Sequence, residues 1–286
     1  MRNFCISIPT LKQLSISNWC GAEESYSRLH VLKIDAPRLV TFSCWSYVPK
    51  EIFLSSTLAL VEATVHVSAD EKGISRLLRA LAHVKCLTVY DCTLQAIYST
   101  YGLSNNLLKL HNVKMLKISR ALTSDQGLIA LLKAVPNLES LVFDGRIDDE
   151  LEDSDKDDGD DDHDADSVQG DNNQDNEDEG DVSDTALCGS CNECGDDSWA
   201  LDIVTTGCLL PHLKSVCFQH FVGNPRAMKW VRLILRDAKA LQMMAIIYYD
   251  THLCYVNVKS KKELMEEMPT FPRASPSCVI KFCCKD

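Results

Sequence analysis

A short apolar phrase, L-x-x-L-x-L with L standing for an apolar residue, occurs five times and constrains the fold of this chain more than any other feature. The copies occupy residues 84–89, 113–118, 138–143, 213–218 and 241–246. In each copy the last two apolar residues are two positions apart, which is the spacing of a strand with one buried face. A unit this short cannot bury its own apolar face, so the copies must stack on one another.

The distance between copies predicts a repeat architecture. The copies at 84, 113 and 138 start 29 and 25 residues apart, and those at 213 and 241 start 28 apart, close to the period of leucine-rich repeats. Looser copies start at Leu11, Leu29 and Leu60. We therefore predict an α/β fold, a leucine-rich-repeat solenoid with a parallel sheet on its concave face and helices outside it.

Helical patterns precede several strand phrases. Helices are predicted over residues 224–239, 124–135 and 74–82, the first opened by an Asn-Pro pair and the second by a Ser-Asp pair. Outward and buried side chains alternate along a strand. The phrases therefore place five candidate partner-binding residues on the concave face of the sheet: Thr88, Tyr90, Lys117, Ser119 and Asp144.

Charge divides the chain into two unequal parts. Residues 148–184 hold 20 Asp and Glu against one Lys, so this segment has a net charge of −19. Since the whole chain has a net charge of −12, the remaining residues have a net charge of +7. A segment with so few apolar residues cannot offset its chain entropy by burial. We predict leucine-rich repeats over 1–147, an acidic disordered insertion with a Cys-rich end over 148–198, and the last repeats with a C-terminal domain over 199–286.

The preferred interpretation of the acidic segment is a solvated spacer. Three functional alternatives are the binding of a basic partner, weak chelation of calcium, and an electrostatic lid over the positively charged remainder. Residues 155–162 superficially resemble a calcium loop, but the closing Glu of an EF-hand is absent and no helices flank the run. We therefore reject an EF-hand.

Cys188, Cys191 and Cys194 follow the acidic segment at a spacing that can gather thiolates around a soft metal ion. Cys208 or His212 would serve as a fourth ligand. The run lacks the second knuckle of structural zinc sites and the fourth cysteine and proline of ferredoxin clusters. We expect an exposed cysteine-bearing loop without metal, and the three cysteines stay weak candidates.

The sequence contains no catalytic motif that we could identify. A G-x-S-x-G elbow, a Gly-rich phosphate loop and an H-E-x-x-H helix are all missing, and the eight histidines are scattered. Nor does any dense Lys/Arg stripe with interleaved aromatic residues indicate nucleic-acid binding. We expect no enzyme activity, no catalytic residue, no cofactor and no nucleic-acid partner.

The sequence also gives no sign of a membrane or secretory segment. No run approaches the roughly 18 apolar residues of a membrane helix, and the first residues lack the apolar core of a signal peptide. Most of the 14 cysteines lie inside apolar phrases, where a thiol acts as a small hydrophobe. We expect reduced cysteines and a soluble protein of the cytoplasm or nucleus, with no membrane partner.

The C-terminal part of the chain resembles the FBD domain. The resemblance covers residues 210–282 and is carried by the motifs LPHLKSV, FVGN, VRLILRDAKALQMM, KEL and FPRASPSCVIKF. That domain closes plant F-box proteins that contain leucine-rich repeats, and the upstream repeats are similar to the middle region of that family. From the residues alone, the same tail is predicted as a last repeat with a cap, including a strand at 244–249, a short helix at 261–268 and a final strand at 279–282.

The resemblance implies a substrate receptor of an SCF-type ubiquitin ligase. In that family an N-terminal F-box docks a Skp-type adaptor and the repeats hold the target, here an unknown protein. Because strand phrases begin at Leu11 and no F-box precedes them, we expect adaptor binding only if an F-box is supplied upstream. A gene fragment and an F-box-less paralogue both stay open. The functional alternatives are an F-box-independent interaction scaffold and a metal-binding protein that uses the Cys188 cluster.

Overall fold

The computed structural model describes residues 2–17, 29–45, 51–55, 57–67, 71–101, 108–119, 125–145, 210–248 and 260–284. The predicted acidic insertion, 148–198, lies outside these ranges, and so do the three candidate metal-binding cysteines. Among the described helices, none has both the length and the apolar character needed to cross a membrane.

A parallel sheet of nine described strands forms the framework of the fold. Its strands follow one another in chain order, β2-β4-β6-β7-β8-β9-β10-β11-β12. Their bounds are β2 Gln13–Ser17, β4 Thr41–Trp45, β6 Glu62–His66, β7 Cys86–Tyr90, β8 Met115–Ser119, β9 Ser140–Asp144, β10 Ser215–Phe221, β11 Met243–Tyr248 and β12 Val279–Cys284. The five repeated phrases supply β7 to β11, so their spacing correctly predicted strands.

The first apolar residue of each phrase closes a turn before the strand. Before β7, for example, the amide of Val84 donates to the carbonyl of Leu81 at 3.1 Å, and before β8 the amide of Val113 donates to the carbonyl of Leu110 at 3.3 Å. Both valines are fully buried. The turn therefore sets where each strand begins, so equivalent positions of neighbouring phrases lie side by side in the sheet.

A second parallel sheet accompanies the first third of the chain. It contains β1 Arg2–Ser7, β3 Leu29–Asp35 and β5 Glu51–Ser55 in the order β1-β3-β5. Up to β6 the chain thus alternates between the two sheets. After β6, a helix lies between successive strands of the large sheet wherever the structure describes the connection.

The described helices are α1 Glu71–Ala80, α2 Asp91–Tyr101, α3 Asp125–Ala134, α4 Pro225–Asp237 and α5 Lys261–Glu267, with 3-10 turns at Thr57–Ala59 and Met268–Thr270. The predicted start of α4 is confirmed, because the side chain of Asn224 accepts from the amide of Ala227 and proline follows it. Helix α5 begins with a capping box between Ser260 and Glu263.

One apolar core joins the helices to the large sheet. It combines buried helix residues such as Leu77, Leu131 and Ile234 with the inward strand residues, for example Leu87 and Ile118. Among the described residues, the other face of the large sheet contributes no side chain to this core. We call that second face, formed by the outward residues of β2 to β12, the open face.

The structure corrects three details of the sequence prediction. The phrase at Leu29 forms β3, which belongs to the small sheet. The large sheet instead uses β4, whose phrase starts at Leu39 and ends at the buried Cys44. Helix α2 was not predicted. It begins directly after β7 and buries only Thr93, Leu94, Ala96 and Ile97.

Strands β9 and β10 pair directly although Ser140 and Ser215 are 75 positions apart in sequence. Helices α3 and α4 are also joined across this interval. Asp125 accepts hydrogen bonds from the indole of Trp230 at 2.9 Å and from Arg226 at 3.0 Å.

The parallel strands and the helices confirm the predicted mixed α/β class, and the leucine-rich-repeat solenoid stays a prediction.

Candidate functional site

The strand register lines up equivalent outward residues on the open face. Near the carboxyl ends of the strands, from β4 to β10, this alignment produces one row across the sheet, which we call the end row: Trp45, His66, Tyr90, Ser119, Asp144 and Gln219. Two residues earlier along each strand lies a parallel row that includes Thr64, Thr88 and Lys117. Large and charged side chains therefore meet at one end of the sheet.

Three aromatic rings occupy the first part of the end row. The centroids of Trp45 and Tyr90 are 4.9 Å apart, those of His66 and Tyr90 4.6 Å, and those of Trp45 and His66 5.6 Å. Two of the contacts are edge-to-face, the arrangement that the ring quadrupoles favour. All three residues are half-buried. We call this group the aromatic cluster.

A buried carboxylate lies farther along the same row. Asp144 is only 4% exposed, and it accepts from Lys117 Nζ at 2.7 Å and contacts His220 Nδ1 at 3.0 Å. Ser119, also buried, precedes it by one strand. We call Lys117, Asp144 and His220 the polar cluster. Its charge-assisted contacts hold three strands in a fixed relation.

A bulge in β10 aims His220 at this carboxylate. Between Phe218 and Phe221 the strand has one more residue than its partner β11, and His220 has a φ of 52°. Such a bulge redirects a side chain, here letting both phenylalanines reach the core. Gly145 packs closely against this bulge, because its amide donates to Gln219 O. A side chain there would be crowded, since an added Cβ would lie 3.2 Å from His220 O.

The thiols near this site are poor nucleophiles. Burial, followed by the charges of Cys283 and Asp144, raises the pKa of Cys217 on the open face. Burial raises the pKa of the inward Cys44 to about 11. Both thiols therefore stay protonated near neutral pH. Cys86 and Cys217, which lie inside the apolar phrases, are half-buried on the open face.

All five predicted partner-binding residues lie on the open face, as their positions in the phrases required. Thr88, Tyr90 and Lys117 are half-buried, whereas Ser119 and Asp144 are buried by their neighbours. Their role in binding stays a prediction. Sequence reasoning missed Trp45, His66 and His220. The first could have been found from the phrase at Leu39, because Trp45 directly follows its last apolar position.

The described ranges contain no group of three or more His, Cys, Asp or Glu residues that could hold a metal ion. Seven cysteines in these ranges are free thiols: Cys5, Cys44, Cys86, Cys92, Cys217, Cys278 and Cys283. The polar cluster offers one carboxylate and one imidazole beside a lysine ammonium, which opposes a second positive charge. The polar cluster is therefore poorly suited to hold a metal ion.

No curated protein and no solved structure matches this chain. The FBD family matches residues 205–246, which include β10, α4 and most of β11. This match is shorter than the resemblance over 210–282, so the cap formed by α5 and β12 is not part of it. The chain therefore contains an FBD domain at residues 205–246.

Proposed function

We propose that this chain is a protein-recognition module whose target lies across the open face of the large sheet. The observation that carries the proposal is the aromatic cluster, three mutually packed rings on a face that contributes no described side chain to the core. Tyrosine and tryptophan are enriched among the residues that dominate binding energy at protein interfaces. An FBD domain, typical of F-box-associated proteins, supports an interaction role.

The size of the end row fits a protein partner. From Trp45 to Gln219 the row crosses six strands, which corresponds to about 24 Å at roughly 4.8 Å per strand. An interface of standard size buries about 800 Å² on each partner, a patch of similar width. At the far end, the partly exposed Lys117 supplies a positive charge that fixes the orientation of a partner.

The finer proposal is a substrate receptor of an SCF-type ubiquitin ligase, built on a leucine-rich-repeat solenoid. The chain-order sheet, in which one phrase supplies one strand, supports the solenoid. The FBD domain supports the link to F-box proteins. In this proposal a Skp-type adaptor is reached through an F-box, and the open face holds the target. The alternative is a scaffold that binds the same target without delivering it for ubiquitination.

A capture experiment with matched variants tests the proposal. The tagged chain and a Trp45→Ala/Tyr90→Ala variant are used to capture proteins from cells, and a Ser43→Ala/Thr64→Ala variant serves as the control on the same face. We expect a specific protein that is lost by at least about tenfold with the aromatic variant and retained by the control. Equal capture by both variants would contradict recognition through the aromatic cluster.

The ligase step needs a separate measurement. The captured target is followed in cells with and without proteasome inhibition, while the chain is expressed with an F-box fused upstream. Ubiquitination of the target that requires both the F-box and the aromatic cluster supports the receptor role. Capture without F-box-dependent ubiquitination would leave the scaffold as the function.

A further inference from the structure

The opposite end of the large sheet carries a concentration of positive charge. Exposed cations recur in the segments that run from each turn to the first residue of the following strand. We call these cations the basic rim: Lys12, Arg38, Lys85, Lys114, Lys214 and Lys239. The same segments contain two carboxylates, Glu62 and Glu139. The rim also has three exposed imidazoles, His83, His111 and His212. With six cations against two carboxylates, this edge carries a net positive charge.

Backbone hydrogen bonds fix the spacing of these cations. Four of the lysines occupy the second position of their phrases, at Lys12, Lys85, Lys114 and Lys214. The carbonyl of Lys85 accepts from Lys114 N at 2.8 Å. That of Lys114 accepts from Glu139 N at 2.9 Å, and that of Glu139 from Lys214 N at 2.8 Å. Lys85 and Lys114 therefore lie one strand apart, at about 4.8 Å, whereas Lys114 and Lys214 lie two strands apart with Glu139 between them.

The rim already holds one carboxylate in the way a partner's would be held. Glu139 lies between Lys114 and Lys214 and contacts each Nζ at 2.8 Å. Hydrogen bonds from Lys114 and then Lys214 lower the pKa of Glu139 to about 2. In the described part of the chain, Lys12 and Lys85 form no comparable ion pair. We therefore expect a partner's carboxylates to bind at these two lysines.

We propose that the basic rim binds an extended, Asp- and Glu-rich segment of a partner protein. An extended chain advances about 3.3 Å per residue, so carboxylates recurring along it meet successive cations across the strands. This inference does not depend on the proposed function, because the rim and the end row lie at opposite ends of the same strands. Each surface can fail its test without affecting the other.

Two observations favour a peptide over a nucleic acid. The rim segments contain no Trp, Tyr or Phe on which bases would stack. Glu139 also stands in the middle of the lysines, where it would repel a continuous phosphate backbone but leaves separate positions for individual carboxylates. Lysine ammonium groups bind as compact point charges, which suits side-chain carboxylates that arrive singly.

The test uses the full chain and a fluorescent Glu/Ser peptide of about twelve residues, long enough to cross several strands. Fluorescence anisotropy gives the affinity. A Gln/Ser peptide controls for charge, and a single-stranded oligonucleotide of equal charge represents the other class of partner. The rim variant Lys85→Gln/Lys114→Gln/Lys214→Gln is compared with a control variant that removes the same charge from helices, Lys72→Gln/Lys133→Gln/Lys262→Gln.

We expect the Glu/Ser peptide to bind and the Gln/Ser peptide not to bind. The rim variant should weaken binding by at least about tenfold, whereas the control variant changes it by less than about twofold. Salt should weaken binding steeply, since the rim is exposed. Absence of binding to the full chain, equal losses in the two variants, or tighter rim-dependent binding of the oligonucleotide would each overturn the proposal.

Discussion

Replacing Asp125 tests how strongly helix α3, which precedes the acidic segment, is held to helix α4, which follows it. Its carboxylate accepts from the fully buried Trp230 indole at 2.9 Å, and the loss of such a bond costs about 1–3 kcal/mol. The pair with Arg226, whose side chain is 41% exposed, adds at most about 1 kcal/mol. The negative charge of Asp125 in the first turn of α3 interacts favourably with the helix dipole, which adds about 0.3–1 kcal/mol. Asp125→Ala should therefore lower the free energy of unfolding by roughly 2–4 kcal/mol.

The matched control is Asp125→Asn, which keeps an oxygen that can accept from the indole. It loses only the charge interactions, so we expect a loss of about 1 kcal/mol. Urea unfolding followed by far-UV circular dichroism measures both variants, and unchanged slopes show that the denatured states are comparable. A cost for Asp125→Ala below about 0.5 kcal/mol, or equal costs for the two variants, would refute the reasoning.

Three further changes probe other contacts. Thr93→Val removes a hydroxyl that accepts from Val67 N at 2.9 Å, so the free energy of unfolding should fall by about 1–3 kcal/mol. For the control Thr88→Val on the open face, it should fall by less than about 0.5 kcal/mol. Asp144→Ala should cost about 1–3 kcal/mol and Asp144→Asn clearly less, because asparagine keeps an acceptor; equal costs would contradict this. Since the folded-state pKa of Glu139 is lowered from 4.5 to about 2, its stabilisation is present above pH 4.5 and is lost as the pH falls toward 2. The melting-temperature advantage of the wild type over Glu139→Gln should shrink over that interval, and a constant difference would oppose the assignment.

The strands of the large sheet were largely predictable because their pattern is local. Alternation of apolar residues identified β7 to β11, and the first position of each phrase marked the turn. Membership in a sheet is not local. The phrase at Leu29 is as regular as that at Leu11, yet β3 pairs with β1 and β5, and nothing in its own residues specifies those neighbours.

The candidate site was only half predictable for a similar reason. Thr88 and Tyr90 follow from the two-residue period, but His220 reaches Asp144 only through a bulge with positive φ, which the alternation rule cannot anticipate. The basic rim was overlooked because its lysines lie far apart in sequence and form no run. The signal was the lysine at the second position of four phrases.

Photocrosslinking from the open face tests the central claim most directly. A photoreactive amino acid replaces Thr88 in the full chain, and the same group at Lys72 on α1 provides an exposed control position. We predict that a specific protein is crosslinked from position 88 and not from position 72, and that Trp45→Ala reduces the yield at position 88. Equal crosslinking from both positions, or a yield at position 88 that is unaffected by Trp45→Ala, would contradict recognition through the open face.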